Sequence, residues 1–208
     1  MYAKTKSVEM SSVNTSKEEL LREEIIRASQ KLFKQYGLQK TTMEDIAKSM
    51  GRGKSTLYYY YKSKDEVIDA VILKEINELF EKRKAEVEKV TTAEDKLKAY
   101  FLVSLKTVKT KANLYKVVKG EIEDKLPHVR KLIKKFNTRE IQIVKEILLL
   151  GIENKEFNQS LKEDADLLAY SAVSAIRSLT VDLAIEDKFP NWDERLNVVI
   201  NILLKGIK

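Results

Sequence analysis

The sequence predicts an all-α protein, and three observations carry that prediction. Apolar residues recur at three- and four-residue spacing along most of the 208-residue chain. Ser16 and Glu19, Thr42 and Asp45, and Ser63 and Glu66 stand three apart at the starts of such runs. That is the spacing of a capping box, in which a side-chain oxygen accepts from the third helical amide. Only six Gly and two Pro are present, too few for the turns of a many-stranded fold.

Residues 1–16 show no periodicity and are expected to form a flexible N-terminal tail. Leu21, Ile25, Ala28, Leu32 and Phe33 give the first helix one apolar face, and Gly37 marks its end. Thr42 opens a second helix that Gly51 closes, and a short third helix follows over roughly Lys54 to Tyr60. Ser63 caps a fourth, which meets no breaker between Lys64 and about Val90, a rod of ~40 Å at 1.5 Å per residue. Val67, Ile68, Val71, Ile72, Ile76, Leu79 and Phe80 are its apolar face. Further helices are expected over about 93–118, near 119–125, and over 127–153, 163–186 and 192–206, about nine in all. Pro127 fits a first helical turn, where its missing N–H costs nothing.

Composition removes whole classes of chemistry. The absence of Cys excludes disulfides, zinc-thiolate sites and thiol nucleophiles, and the single histidine, His128, excludes any site needing two imidazoles. His128 reads as a surface residue. No grouping of Ser, His and Asp or of paired carboxylates stands out, so no enzyme, cofactor or metal is expected. The polar N-terminus lacks a signal-peptide core. The longest aliphatic cluster, Ile147 to Ile152, falls far short of the ~20 residues that cross a bilayer. A cytoplasmic protein with no membrane partner is expected.

The formal charge is +7, from 39 basic and 32 acidic side chains, and it is uneven. Between Ala47 and Lys64 stand five basic residues (Lys48, Arg52, Lys54, Lys62 and Lys64) and no acid. A compact positive patch is the electrostatic footprint of a nucleic-acid binder. Residues 42–61 have helix-turn-helix form, two short helices about a Gly-bearing corner. In that motif the N-terminus of the second helix faces base edges in the major groove, here Arg52, Gly53, Lys54, Ser55 and Thr56. The start of the preceding helix, near Thr42, offers amides to a phosphate. Leu57 and Tyr61 share one helical face and are expected inward with Ile46 and Met50. Tyr58, Tyr59 and Tyr60 then either offer phenols to phosphate or pack on the first and fourth helices. Gly53-Lys54-Ser55 imitates the end of a phosphate-binding P-loop. That loop needs a Gly where Lys48 stands and a strand where a helix is expected.

The stretch from Thr42 through Ile46, Ala47 and Gly51, then Lys54 to Lys64, resembles the DNA-binding domain of TetR-family transcriptional regulators. Ala28, Leu32, Phe33, Tyr36 and Gly37 are similar to the end of that family's first helix. About fifty residues carry the likeness. It implies that Thr42, Tyr58, Tyr60 and Lys64 hold backbone phosphates and that Lys54, Thr56 and Tyr59 face the groove. Arg52, Gly53 and Ser55 depart from the family pattern, so base specificity cannot be transferred from a relative, and Arg52 is expected to add a DNA contact.

The resemblance also divides the chain into the tail, a helix-turn-helix domain over 17–64, and a ligand-binding and dimerisation bundle over 65–208. Small residues cluster between Leu167 and Leu183, and Leu196, Val199, Ile200, Leu203 and Ile207 stripe the last helix. These residues form either an ordinary core or a subunit interface. The family implies a four-helix dimer interface, to which Ser171, Ala175, Ser178, Leu196, Val199, Ile200 and Leu203 are assigned. Phe101, Tyr115, Phe136 and Tyr170, with Arg177 as an anion partner, either line a ligand pocket or are plain core. The expected function is a homodimeric repressor of a palindromic double-stranded operator, released by an apolar or amphipathic small-molecule effector whose identity is unreadable here. The alternative is a helical carrier or sensor of a lipid-like molecule with no DNA role.

Overall fold

The computed structural model describes the backbone of residues 2–107, 127–179, 182–183, 189 and 191–208, with most side chains from residue 17 onward. Among the described residues there is no strand, and the α-helices are eight. They are α1 (Tyr2–Tyr36), α2 (Met43–Ser49), α3 (Lys54–Tyr60), α4 (Lys64–Glu88), α5 (93–107), α6 (Pro127–Glu153), α7 (Ala165–Leu179) and α8 (Trp192–Lys205). The chain forms two compact units, Met1–Lys74 and Glu75–Lys208, so the division falls within α4.

In the first unit α1 begins at Tyr2, which corrects the helix start expected at Ser16. The first 36 residues contain neither Gly nor Pro, so nothing in the backbone stops the helix from continuing past the periodic segment. Ile25, Phe33, Ile46, Leu57, Val67 and Val71 are essentially inaccessible and make the core of this unit. The expected cap at α2 is present in both directions. Thr42 Oγ1 accepts from the Asp45 amide at 3.1 Å, and the Thr42 amide donates to Asp45 Oδ2 at 2.9 Å. The α2–α3 corner is closed by the Gly51 amide on Lys48 O (3.0 Å) and the Arg52 amide on Ala47 O (3.0 Å). Gly51 lies at φ 63°, in the left-handed region that costs an L side chain about 1–2 kcal/mol. At α4 the Glu66 amide donates to Ser63 Oγ at 3.2 Å, and Glu66 reaches back to the Lys62 amide at 2.7 Å.

The second unit is organised around one apolar cluster containing Leu97, Phe101, Leu105, Val144, Leu148, Ile152, Ala169, Val173, Leu196 and Ile200. At α5 the Asp95 amide donates to Thr92 Oγ1 at 3.1 Å and the Thr92 hydroxyl donates to Asp95 Oδ2 at 2.7 Å. A Cβ on Gly151 would lie 2.2 Å from the Phe157 ring and 2.9 Å from Ala93 Cβ, so only glycine permits this close approach. A short 3₁₀ turn, Gln159–Lys162, capped by Asn158, precedes α7 and has no counterpart in the sequence reading. The end of the fifth expected helix, the piece near 119–125, residues 180–181 and 184–188, and the His128 side chain lie outside the described residues.

Candidate nucleic-acid interface

Helix α3 is amphipathic within seven residues. Leu57 (2% exposed) and Tyr61, which follows its last turn (7%), face the core with Ile46, while Met50 is only half-buried. Arg52, Gly53, Lys54 and Ser55 are exposed at its N-terminus, and Thr56 is half-buried. Tyr59 is 64% exposed and Tyr58 38%, whereas Tyr60 is half-buried and edge-on to Tyr59 at 5.0 Å. Among the described residues, two grooves flank this helix. One of about 410 Å³ lies along α1 and includes Leu20, Glu24, Arg52, Tyr59 and Tyr60. The other, of about 380 Å³, includes Thr42, Glu44, Lys54, Tyr58 and Lys64.

Tertiary contacts change the electrostatics that the sequence suggests. Arg52 Nη2 donates to Glu24 Oε2 of α1 at 3.2 Å, and Lys54 Nζ stands 3.6 Å from Glu44 Oε2 of α2. Lys54 also lies over the Tyr58 ring at 5.9 Å. Lys64 is half-buried and donates to the carbonyl of Leu38 at 3.0 Å, which ties α4 to the loop after α1. Lys62 donates to the carbonyls of Tyr58 (3.1 Å) and Tyr59 (3.3 Å), closing the C-terminus of α3. Thr42 is exposed, but its hydroxyl already donates to Asp45 Oδ2 at 2.7 Å.

One contributor was not legible in the sequence. Arg22 of α1 donates to the Tyr60 carbonyl at 3.2 Å and lies over the Tyr60 and Tyr61 rings at 5.5 and 5.4 Å. It stands 38 residues away in the chain, beyond any local signal.

Two carboxylates of this unit are held below their ordinary values. Hydrogen bonds from the Thr42 hydroxyl and backbone lower Asp45 from 3.8. The Lys74 ammonium, a hydrogen-bonded ion-pair partner, lowers Glu23 from 4.5, partly opposed by burial. A depressed carboxylate stabilises the fold above its unfolded pKa, and the contribution is lost as pH falls through the folded one. Thermal unfolding is therefore expected to show Tm declining once pH drops below about 4.5. Asp45→Asn is expected to flatten part of that decline. An unchanged slope in Asp45→Asn would contradict the assignment.

In the second unit the residues expected to line a pocket differ in exposure. Phe101 is buried in the core, edge-on to Tyr100 at 5.9 Å, and Phe136 is half-buried. Tyr170 is 56% exposed and Arg177 is exposed, so neither lines the interior of the bundle; Tyr115 lies outside the described residues. Among the described residues of this unit, Arg83 of α4 is a buried cation. It donates to Ser104 Oγ at 2.8 Å, pairs with Glu140 and stacks over Tyr100 at 4.8 Å. Burial raises the Tyr100 phenol above its ordinary 10.0, with Arg83 opposing.

The residues expected at a subunit interface divide into two sets. Leu196 (3%) and Ile200 (1%) are buried in their own chain's core, whereas Ser171, Ala175, Ser178, Val199 and Leu203 are exposed. A stripe four residues apart looks alike whether it faces its own bundle or a second chain.

A family model for bacterial regulatory proteins of the tetR family matches residues 25–71, which span α2, α3 and the corner between them. A solved transcriptional regulator from Cytophaga hutchinsonii ATCC 33406 is 31% identical, with TM-score 0.69, over 88% of this chain and 96% of that one. The chain belongs to the TetR family. Like others of that family it is a DNA-binding transcriptional regulator. The repressor KstR2 of Mycolicibacterium smegmatis (strain ATCC 700084 / mc(2)155) is 25% identical over 149 residues, 71% of either protein. The regulator FadR from Bacillus subtilis, solved in complex with stearoyl-CoA, shares the fold at TM-score 0.73 and 22% identity, over 89% of this chain and 98% of that one. In this TetR-family member no helix among the described residues is long and apolar enough to cross a membrane.

Proposed function

We propose that this TetR-family protein is a homodimeric repressor that reads a palindromic operator through α3 and releases it on binding an apolar or amphipathic small molecule. The observation that carries the DNA reading is the two-faced third helix. Leu57 and the adjoining Tyr61 anchor it, while Arg52, Lys54, Ser55, Tyr58 and Tyr59 are left to solvent. Repression is supported by the likeness to the repressor KstR2, and an amphipathic effector by the stearoyl-CoA bound to FadR. Helix α4 contributes to both compact units. A ligand that favours one state of α4 would change operator affinity by its own differential affinity for the two states.

Dimerisation is supported by apolar side chains left exposed on α7 and α8, notably Leu167, Tyr170, Val199, Ile202 and Leu203. Two short recognition helices about one DNA turn apart (~34–36 Å) match a palindrome, and neither alone binds tightly.

Selection of bound duplexes from a random pool tests this reading, with a palindromic winner expected. On the selected duplex, Lys54→Ala and Tyr59→Ala are expected to relax base preference. A base contact is worth about 1–3 kcal/mol, or roughly 5- to 150-fold in discrimination. Lys64→Ala is expected to weaken all duplexes alike, by about tenfold, with thermal unfolding run in parallel because Lys64 also ties the loop after α1. A protein that carries lipid-like molecules and has no DNA role would select no sequence.

A further inference from the structure

Arg52 leaves the α2–α3 corner with its backbone fixed by the bond to Ala47 O, and its long side chain turns toward α1. There Nη2 donates to Glu24 Oε2 at 3.2 Å, between side chains 44% and 47% exposed. Glu24 is thus the acid that the fold, from 28 residues upstream, sets beside the leading cation of α3. A guanidinium has five N–H groups in a planar fork, so one bond to Glu24 leaves four. The pair borders the groove that also holds Leu20, Tyr59 and Tyr60.

An exposed ion pair adds little to stability, so the fold of this unit does not depend on it. Its effect is on the side chain. An unrestrained arginine samples many rotamers and takes whichever phosphate is nearest. One held by a carboxylate has its free edge aimed, and the carboxylate repels phosphate from well within the screening length of ~8–10 Å. The O6 and N7 acceptors of a guanine carry no net charge and meet far less repulsion.

We infer that Glu24 is a positioning residue for sequence specificity: it holds Arg52 ready for a neutral pair of acceptors on a base edge and withholds it from the DNA backbone. This inference rests on the reading of α3 as the base-reading helix.

The test uses the full-length protein, a duplex selected from a random pool, and a scrambled duplex of equal length, each titrated at several salt concentrations. Glu24→Gln keeps the size and removes the charge. It is expected to weaken the selected duplex about fivefold, strengthen the scrambled one about threefold and steepen the scrambled salt slope, so that their ratio falls more than tenfold. Glu24→Asp, which keeps the charge but shortens the reach, is expected to weaken the selected duplex and leave the scrambled one unchanged. It serves as the second variant if Glu24→Gln folds poorly. In an Arg52→Ala background, Glu24→Gln is expected to leave the ratio where it was, as a cycle isolating this pair requires. Equal shifts on both duplexes, or an undiminished fall in the ratio without Arg52, would overturn the inference. Failure of the unaltered protein to prefer any duplex would overturn the reading of α3 itself, and this inference with it.

Discussion

Replacing Ile202 by Asp is expected to leave a folded monomer whose operator affinity is at least a hundredfold below that of the unaltered protein. Ile202 is 65% exposed and stands beside Val198 (61%), Val199 (43%) and Leu203 (52%) on α8. The opposite face of the same helix, Leu196, Ile200 and Leu204, is buried in the core of its own unit. The substitution therefore removes nothing from that core. Each large apolar side chain moved from water into an interface contributes about 1.5–3 kcal/mol, so four such residues per subunit can hold a pair together. In a two-fold interface a new carboxylate occurs twice, and both copies lose water without gaining a partner. Once the subunits separate, the second recognition helix is no longer delivered at high effective concentration. That loss is worth about 10²–10⁴ in affinity. Sedimentation or light scattering gives the mass, and circular dichroism on the same sample checks the fold. A dimeric Ile202→Asp would remove α8 from the proposed interface.

Raising salt from 50 to 200 mM is expected to weaken operator binding about 10³-fold, well short of 10⁵-fold. Counting every cation between Ala47 and Lys64 gives five per subunit and ten per dimer, a log–log slope near −9. The structure argues for fewer released counterions. Arg52 already has Glu24 beside it and Lys62 closes α3 on the carbonyls of Tyr58 and Tyr59, which leaves Lys48, Lys54 and Lys64, three per subunit and six per dimer. About six phosphate contacts per dimer give a slope near −5.4, which over a fourfold change in salt corresponds to about 10³. Titration by fluorescence anisotropy at five or six salt concentrations measures it. A slope of −9 would mean that these internal pairs open fully on DNA, and one flatter than about −2 would contradict binding dominated by phosphate contacts.

Much of this was legible locally. The Thr42–Asp45 and Ser63–Glu66 caps, the Gly51 corner and the inward pair Leu57 and Tyr61 all follow from spacings of three or four residues, because helical geometry relates such neighbours directly. The extent of α1 was not legible, because loss of apolar periodicity says where a helix stops facing a core rather than where its backbone bonds stop. The 3₁₀ turn before α7 was missed for a related reason: four residues are too few to show a period.

The candidate site divides in the same way. The exposed start of α3 and the local excess of positive charge belong to the sequence, since Leu57 and Tyr61, four residues apart, set which face turns inward, whereas the exposure of Tyr58 and Tyr59 and the half-burial of Tyr60 do not. The acids beside Arg52 and Lys54, the Arg22 brace on Tyr60 and the Arg83 cluster were decided by tertiary structure alone. So was the fact that Leu196 and Ile200 face their own core while Val199 and Leu203 do not. Each depends on which distant helix lies alongside, and periodicity records that a face is apolar without recording what covers it.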